Sequence, residues 1–130
     1  MFNGEIVFTI VDENQLEVDM GMSPTKVVKK GDIIAIGKVA QKNKWMYKIT
    51  YDNEEEFVFS LEKMINKLLS KVQYVNELVN LHEEVGIVIY VRSEFGQIGY
   101  RIPRHILSKI SLLNCSLEFN VVSFGMVIDD

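Results

Sequence analysis

The stretch that most constrains the fold of this chain runs from Ser60 to Leu81. Its apolar residues recur at intervals of three and four, which is the spacing of one face of an α-helix. Polar residues fall between them and would lie on the other side of that helix. We therefore predict one long helix, or two helices that meet near Ser70–Gln73. Its apolar face consists of Leu61, Met64, Ile65, Leu68, Val72, Val75 and Val79.

The segments on either side of this helix alternate between apolar and polar residues, as β-strands do. They predict strands at 5–11, 33–39, 45–51, 87–92, 97–102 and 117–124, with 87–92 and 97–102 forming a hairpin. Asp12 and Gln15 have the spacing of a capping box, so we expect a short helix that ends near Gly21. A last helix begins at Pro103, because proline is favoured in a first helical turn. Its apolar face is Ile106, Leu107, Ile110 and Leu113.

These elements give the order β-α-β-β-α-β-β-α-β. The first six have ferredoxin-like order, and the last three add another β-α-β unit. We predict an α+β fold in which one mainly antiparallel sheet is covered by helices on one face. No linker or low-complexity tract divides the 130 residues, so we expect a single domain at 1–130.

Charge is distributed unevenly along the chain. The net charge is −4, yet residues 26–48 contain seven lysines and one aspartate, so that segment carries +6 and the remainder carries −10. Such a segment fits a face that binds an acidic protein partner, or an edge strand whose lysines prevent pairing with other chains. This segment has no arginine and the chain is acidic, which argues against nucleic acid as a partner. The candidate interaction patch is Lys26, Lys29, Lys30, Lys42, Lys44 and Trp45.

No catalytic signature is evident in the sequence. It has no nucleophile elbow, phosphate-binding glycine loop or dinucleotide fingerprint. His82 and His105 lack the spacing of metal ligands, so we expect no metal, no cofactor and no enzyme activity. Cys115 is the single cysteine, which excludes an internal disulfide and fits a reducing compartment. Since no secretory signal or membrane-spanning run is evident, we expect a cytoplasmic protein.

The order of several short motifs resembles a known family. Gly21-Met22-Ser23-Pro24-Thr25 is followed by Lys30-Gly31-Asp32 and a strand that contains Trp45. The long helix, the predicted hairpin, the Pro103 helix and a final alternating strand follow. In this arrangement the chain is similar to a bacterial family of small single-domain proteins of unknown function. The resemblance implies the fold and a bacterial source, and it implies no activity.

We therefore expect a non-catalytic protein-binding module, for which immunity to a toxin is one concrete version. Such proteins are compact, often acidic and without catalytic signatures. The alternative is a small-ligand-binding domain with a pocket between the sheet and the long helix. The sequence does not indicate the oligomeric state.

Overall fold

A five-stranded sheet with three helices on one face forms the body of the protein, so the fold is α+β. The computed structural model describes residues 2–95 and 99–126. The elements are β1 (Phe2–Asp12), β2 (Lys26–Val28), β3 (Ile33–Ala35), β4 (Lys38–Val39), β5 (Asn43–Tyr51), α1 (Glu54–Leu69), α2 (Val72–Leu81), β6 (Glu84–Phe95), α3 (Arg104–Leu113) and β7 (Ser116–Met126).

The sheet has the strand order β2-β5-β1-β6-β7, with β1 at its centre. β1 runs antiparallel to both neighbours, and Ile6 lies between Ile49 of β5 and Ile89 of β6. β7 pairs with β6 in the parallel direction. The sheet is thus mostly antiparallel, with one parallel pair at its far edge.

The long helical segment consists of two helices, which is one of the two predicted alternatives. α1 ends at Leu69 and α2 begins at Val72. The first turn of α1 is acidic, and the Asn53 side chain accepts a hydrogen bond from the backbone N–H of Glu56. This cap satisfies one of the free donors at the helix start. Most of the predicted apolar face is fully buried against the sheet, namely Leu61, Met64, Ile65, Leu68 and Val75.

The last helix begins directly after Pro103, close to the predicted position, but one residue of its predicted apolar face is not buried. Ile106, Ile110 and Leu113 of α3 are buried, but Leu107 is half-exposed and does not belong to the buried face. α3 links β6 to the parallel strand β7, so this part of the chain is a β-α-β unit.

The prediction of a short helix after Asp12 is wrong, because residues 13–25 form neither helix nor strand. The Asp12 carboxylate has other partners. It accepts a hydrogen bond from the N–H of Asn14 at 3.0 Å and lies 2.7 Å from the Nδ1 of His82. The Asp12 side chain therefore forms a local turn instead of a helix cap.

Two strand predictions are also corrected. Residues 33–39 are not one strand, because the chain reverses after β3 at Gly37 (φ 73°) and returns as β4. The predicted strand at 97–102 is absent over residues 99–102, while residues 97 and 98 lie outside the described part. No hairpin partner fits beside β6 because β1 and β7 occupy both of its sides. The ferredoxin-like order is therefore not confirmed.

Candidate functional site

The lysine-rich segment forms a distinct surface, residues 26–44, which we call the basic hairpin. Its base is a turn at Lys29–Asp32, where the Asp32 carboxylate accepts a hydrogen bond from the N–H of Lys29 at 2.8 Å. Gly31 has a φ of 97°, a conformation that favours glycine. The backbone of Ala40 forms two hydrogen bonds with this turn. Its N–H donates to the carbonyl oxygen of Asp32, and its carbonyl oxygen accepts from the N–H of Gly31. The Lys-Gly-Asp motif is thus a structural turn.

Asn43 fastens the basic hairpin to the rest of the domain. Its side-chain oxygen accepts a hydrogen bond from the N–H of Lys30 at 2.9 Å. Its amide nitrogen donates to the carbonyl oxygens of Glu13 and Asn14 at 3.2 and 2.9 Å. One side chain therefore holds the hairpin against the loop that follows β1.

Apolar side chains are exposed on this hairpin. β3 and β4 pair with each other in a separate two-stranded sheet, so their side chains have no core to enter. Ile33 is 83% exposed and Ile36, at the turn, is fully exposed. Ile34 and Val39 are about half-exposed. Clustered exposed apolar residues within a polar rim are typical of interaction sites.

The predicted lysines belong to the same segment as these isoleucines, and all but Lys42 are exposed. Lys42 is partly buried and forms an ion pair with Glu83, with Nζ and Oε2 3.3 Å apart. The hydrogen bond and charge of Glu83 raise the pKa of Lys42. Trp45 lies on the helix-covered face of β5, buried with its ring edge-on to Phe8. The Trp45 side chain is therefore not part of the exposed surface of the basic hairpin.

A cleft of about 820 Å³ lies between the basic hairpin and the sheet face opposite the helices. Its apolar lining is Val11, Val28, Ile34, Val39, Ala40 and Met46. Its charged lining is Lys26, Lys38, Lys42, Lys44 and Glu84. The interface between the sheet and α1 is different, because its side chains, such as Phe8 and Leu61, are fully buried. This cleft is therefore not the predicted pocket between the sheet and the long helix.

His82 and Asp12 form a buried pair at the end of the sheet, with Nδ1 and Oδ2 2.7 Å apart. Hydrogen bonds from the Asn14 N–H and from His82 lower the pKa of Asp12. The pair joins the end of β1 to the end of α2. Among residues 2–95 and 99–126, no group of three or more His, Cys, Asp or Glu side chains is placed to bind a metal ion.

Most of the chain matches one protein family. A family described as a domain of unknown function, DUF4279, matches residues 5–123. The chain belongs to the DUF4279 family. The matched range includes the basic hairpin, which is therefore part of the DUF4279 domain. No curated protein and no solved structure matches the chain.

Two further features of this DUF4279 domain concern its cysteine and its helices. Burial raises the pKa of the Cys115 thiol, so the reactive thiolate is disfavoured. None of the helices in the described part of the chain is long and apolar enough to cross a membrane.

The sequence prediction missed the exposed isoleucines and the buried pair of His82 and Asp12. Ile33-Ile34-Ala35-Ile36 is a continuous apolar run, a pattern that is typical of a buried segment and gives no signal of exposure. The partners Asp12 and His82 are 70 residues apart in the chain. No local pattern connects them.

Proposed function

We propose that this DUF4279 domain is a non-catalytic protein-binding module whose docking surface is the basic hairpin. The observation that carries the proposal is that exposed apolar side chains and exposed lysines share one short segment of the chain. Burying apolar side chains supplies affinity at the centre of an interface, and charges at its rim select the partner. A solvated hairpin that served only to protect the sheet edge would need the lysines but not the isoleucines.

The charge distribution defines the chemistry of the partner. The basic hairpin carries a net charge of +5, while the remainder of the chain carries a net charge of −9. An acidic partner is therefore attracted to one end of the domain and repelled elsewhere, which orients the encounter. The partner surface that fits is acidic at its rim and apolar at its centre.

A cytosolic immunity protein that neutralises a toxin is one concrete version of this function. It requires a rigid docking surface and no catalytic group. The turn at Asp32 and the hydrogen bonds of Asn43 hold the base of the basic hairpin in place. Such preorganisation reduces the entropy lost on binding.

The cleft beneath the hairpin supports a second candidate, binding of a small anionic ligand. Its apolar floor would contact the body of the ligand, and Lys38 or Lys44 would contact the anion. This differs from the first candidate in its dependence on side chains. Binding in the cleft requires Val11 and Met46 on the sheet. Docking instead requires Ile33 of β3 and Ile36 at the turn that follows β3.

The test uses immobilised protein and a lysate of its native cells. We expect the wild-type protein to retain a partner at low salt and to lose affinity at high salt, as the screening length falls from about 10 Å at 0.1 M to about 3 Å at 1 M. The double variants Ile33→Asp/Ile36→Asp and Lys29→Glu/Lys30→Glu should lose that partner. Their thermal stability should stay near that of the wild type because these side chains are exposed.

Lys63→Glu is the matched control, since Lys63 is an exposed lysine on α1, away from the hairpin. It should retain the partner. If the two hairpin variants capture the same proteins as Lys63→Glu, with the same salt dependence, the hairpin is not the docking surface. Reduced stability of the hairpin variants would show instead that their side chains are packed in solution.

A further inference from the structure

The two edges of the five-stranded sheet differ in their protection. The β2 edge is three residues long, follows Pro24 and carries Lys26, all of which discourage pairing with another strand. The β7 edge is eleven residues long. Its sequence contains no lysine and no proline, and its single charged residue is Glu118. A long, weakly charged edge is a template for another strand.

Apolar side chains border the β7 edge on the side of the helices. Phe119 is 42% exposed and Val121 is 53% exposed. Leu107 of α3 is 48% exposed, and it lies on the flank opposite to the one that contacts α1. That other flank is defined by His105 and Lys109, which bind Glu62 and Asn66 of α1. An added strand would therefore gain both backbone hydrogen bonds and apolar contacts.

We propose that β7 pairs antiparallel with β7 of a second copy of this chain, so that two sheets join into one of ten strands. A twofold axis perpendicular to the sheet keeps the helices of both copies on the same side, and it places one residue opposite its own copy. Centring the axis on Asn120 places Phe119 opposite Val121 of the second copy, and this pair occurs twice by symmetry. Aromatic and β-branched residues form favourable cross-strand pairs.

The charge on β7 favours the same register. With Asn120 at the centre, each Glu118 lies opposite Val122 of the second copy, and the two Glu118 carboxylates are separated along the strands. Centring the pair on Glu118 would place like charges opposite each other, which is destabilising. The strand is thus self-complementary in the proposed register. This inference is independent of the proposed function, because the basic hairpin lies at the other edge of the sheet.

The first test is sedimentation equilibrium of the full chain from micromolar to hundreds of micromolar concentration. We expect a mass twice that of one chain. Val121→Lys should weaken the association by about tenfold or more, because it places an ammonium group against Phe119 of the second copy. Phe59→Lys is the matched control and should remain a dimer, since Phe59 is 71% exposed on α1, which packs over β1 and β5. A monomeric wild type, or equal masses for Val121→Lys and wild type, would overturn the proposal.

The second test fixes the register by cross-linking in a Cys115→Ser background. Asn120→Cys should form a disulfide-linked dimer under mild oxidation, because the two thiols face each other across the axis. The Glu118→Cys thiols would be about 14 Å apart along the strands, given a rise of about 3.4 Å per residue, which is too far for a disulfide. Cross-linking of Glu118→Cys without cross-linking of Asn120→Cys would overturn the register.

Discussion

Replacing Gly4 with alanine tests how closely the central strand is fitted into the sheet. Gly4 lies between Tyr51 of β5 and Val91 of β6. The Tyr51 hydroxyl donates a hydrogen bond to the backbone carbonyl of Tyr90 at 2.7 Å. An alanine Cβ at Gly4 would lie 2.6 Å from that hydroxyl oxygen and would also strike the Tyr90 carbonyl oxygen. Because one of these atoms belongs to the backbone, the strands themselves must shift.

The expected loss of stability combines two effects. Overpacking of this kind costs about 1–3 kcal/mol. Displacing the Tyr51 hydroxyl from its carbonyl partner adds about 0.5–1.5 kcal/mol. We expect Gly4→Ala to lower the free energy of unfolding by about 2–4 kcal/mol, which corresponds to a fall of roughly 10 °C in Tm for a domain of this size. Chemical and thermal unfolding of both proteins would measure it.

Two further variants make the reasoning refutable. Gly99→Ala is the matched control, since a Cβ there meets nothing within 4 Å and the change in unfolded-chain entropy is the same in kind. In a Tyr51→Phe background, Gly4→Ala should cost about 1 kcal/mol less, because one of the two obstructing oxygens is gone. Equal effects of Gly4→Ala and Gly99→Ala, or strictly additive effects of Gly4→Ala and Tyr51→Phe, would refute this packing.

Three other predictions concern the helices and the response to acid. Leu68→Ala should lower the free energy of unfolding by about 2–5 kcal/mol because Leu68 is fully buried, whereas Ser70→Ala should change it little; equal losses in urea titrations would contradict the helix face. Asn53→Ala should cost about 1 kcal/mol through loss of the α1 cap, measured in the same way. The folded-state pKa of Asp12 is lowered, so its contribution is present above its unfolded pKa of about 3.9 and is lost as pH falls through the folded value. The stability difference between wild type and Asp12→Asn should therefore shrink in acid, and a constant difference would contradict it.

Elements whose signal is local could be predicted from the sequence. The face of α1 follows from spacing within a few turns, and Leu61, Met64 and Leu68 are buried as that spacing requires. β1 and β5 were predicted for the same reason, since alternation is visible within each strand. Strand pairing could not be predicted, because it joins distant segments. The position of Ile6 between Ile49 and Ile89 depends on both halves of the chain.

The candidate site divides in the same way. The exposure of lysines such as Lys29 and Lys30 could be anticipated, because lysine is rarely buried. The exposure of Ile33 and Ile36 could not, since β-branched runs usually enter a core. Their exposure results from a tertiary arrangement in which β3 and β4 pair only with each other among the described strands.

The central position of β1 has a consequence for synthesis on the ribosome. β1 is made before its partners β5 and β6, and β6 follows only after α1 and α2. The apolar side chains of Ile6, Phe8 and Ile10 therefore remain uncovered at least until α1, which packs against β1, has been made. Non-local strand pairing also slows folding after release. The nascent chain is thus exposed to aggregation and to chaperone binding until the carboxyl-terminal half arrives.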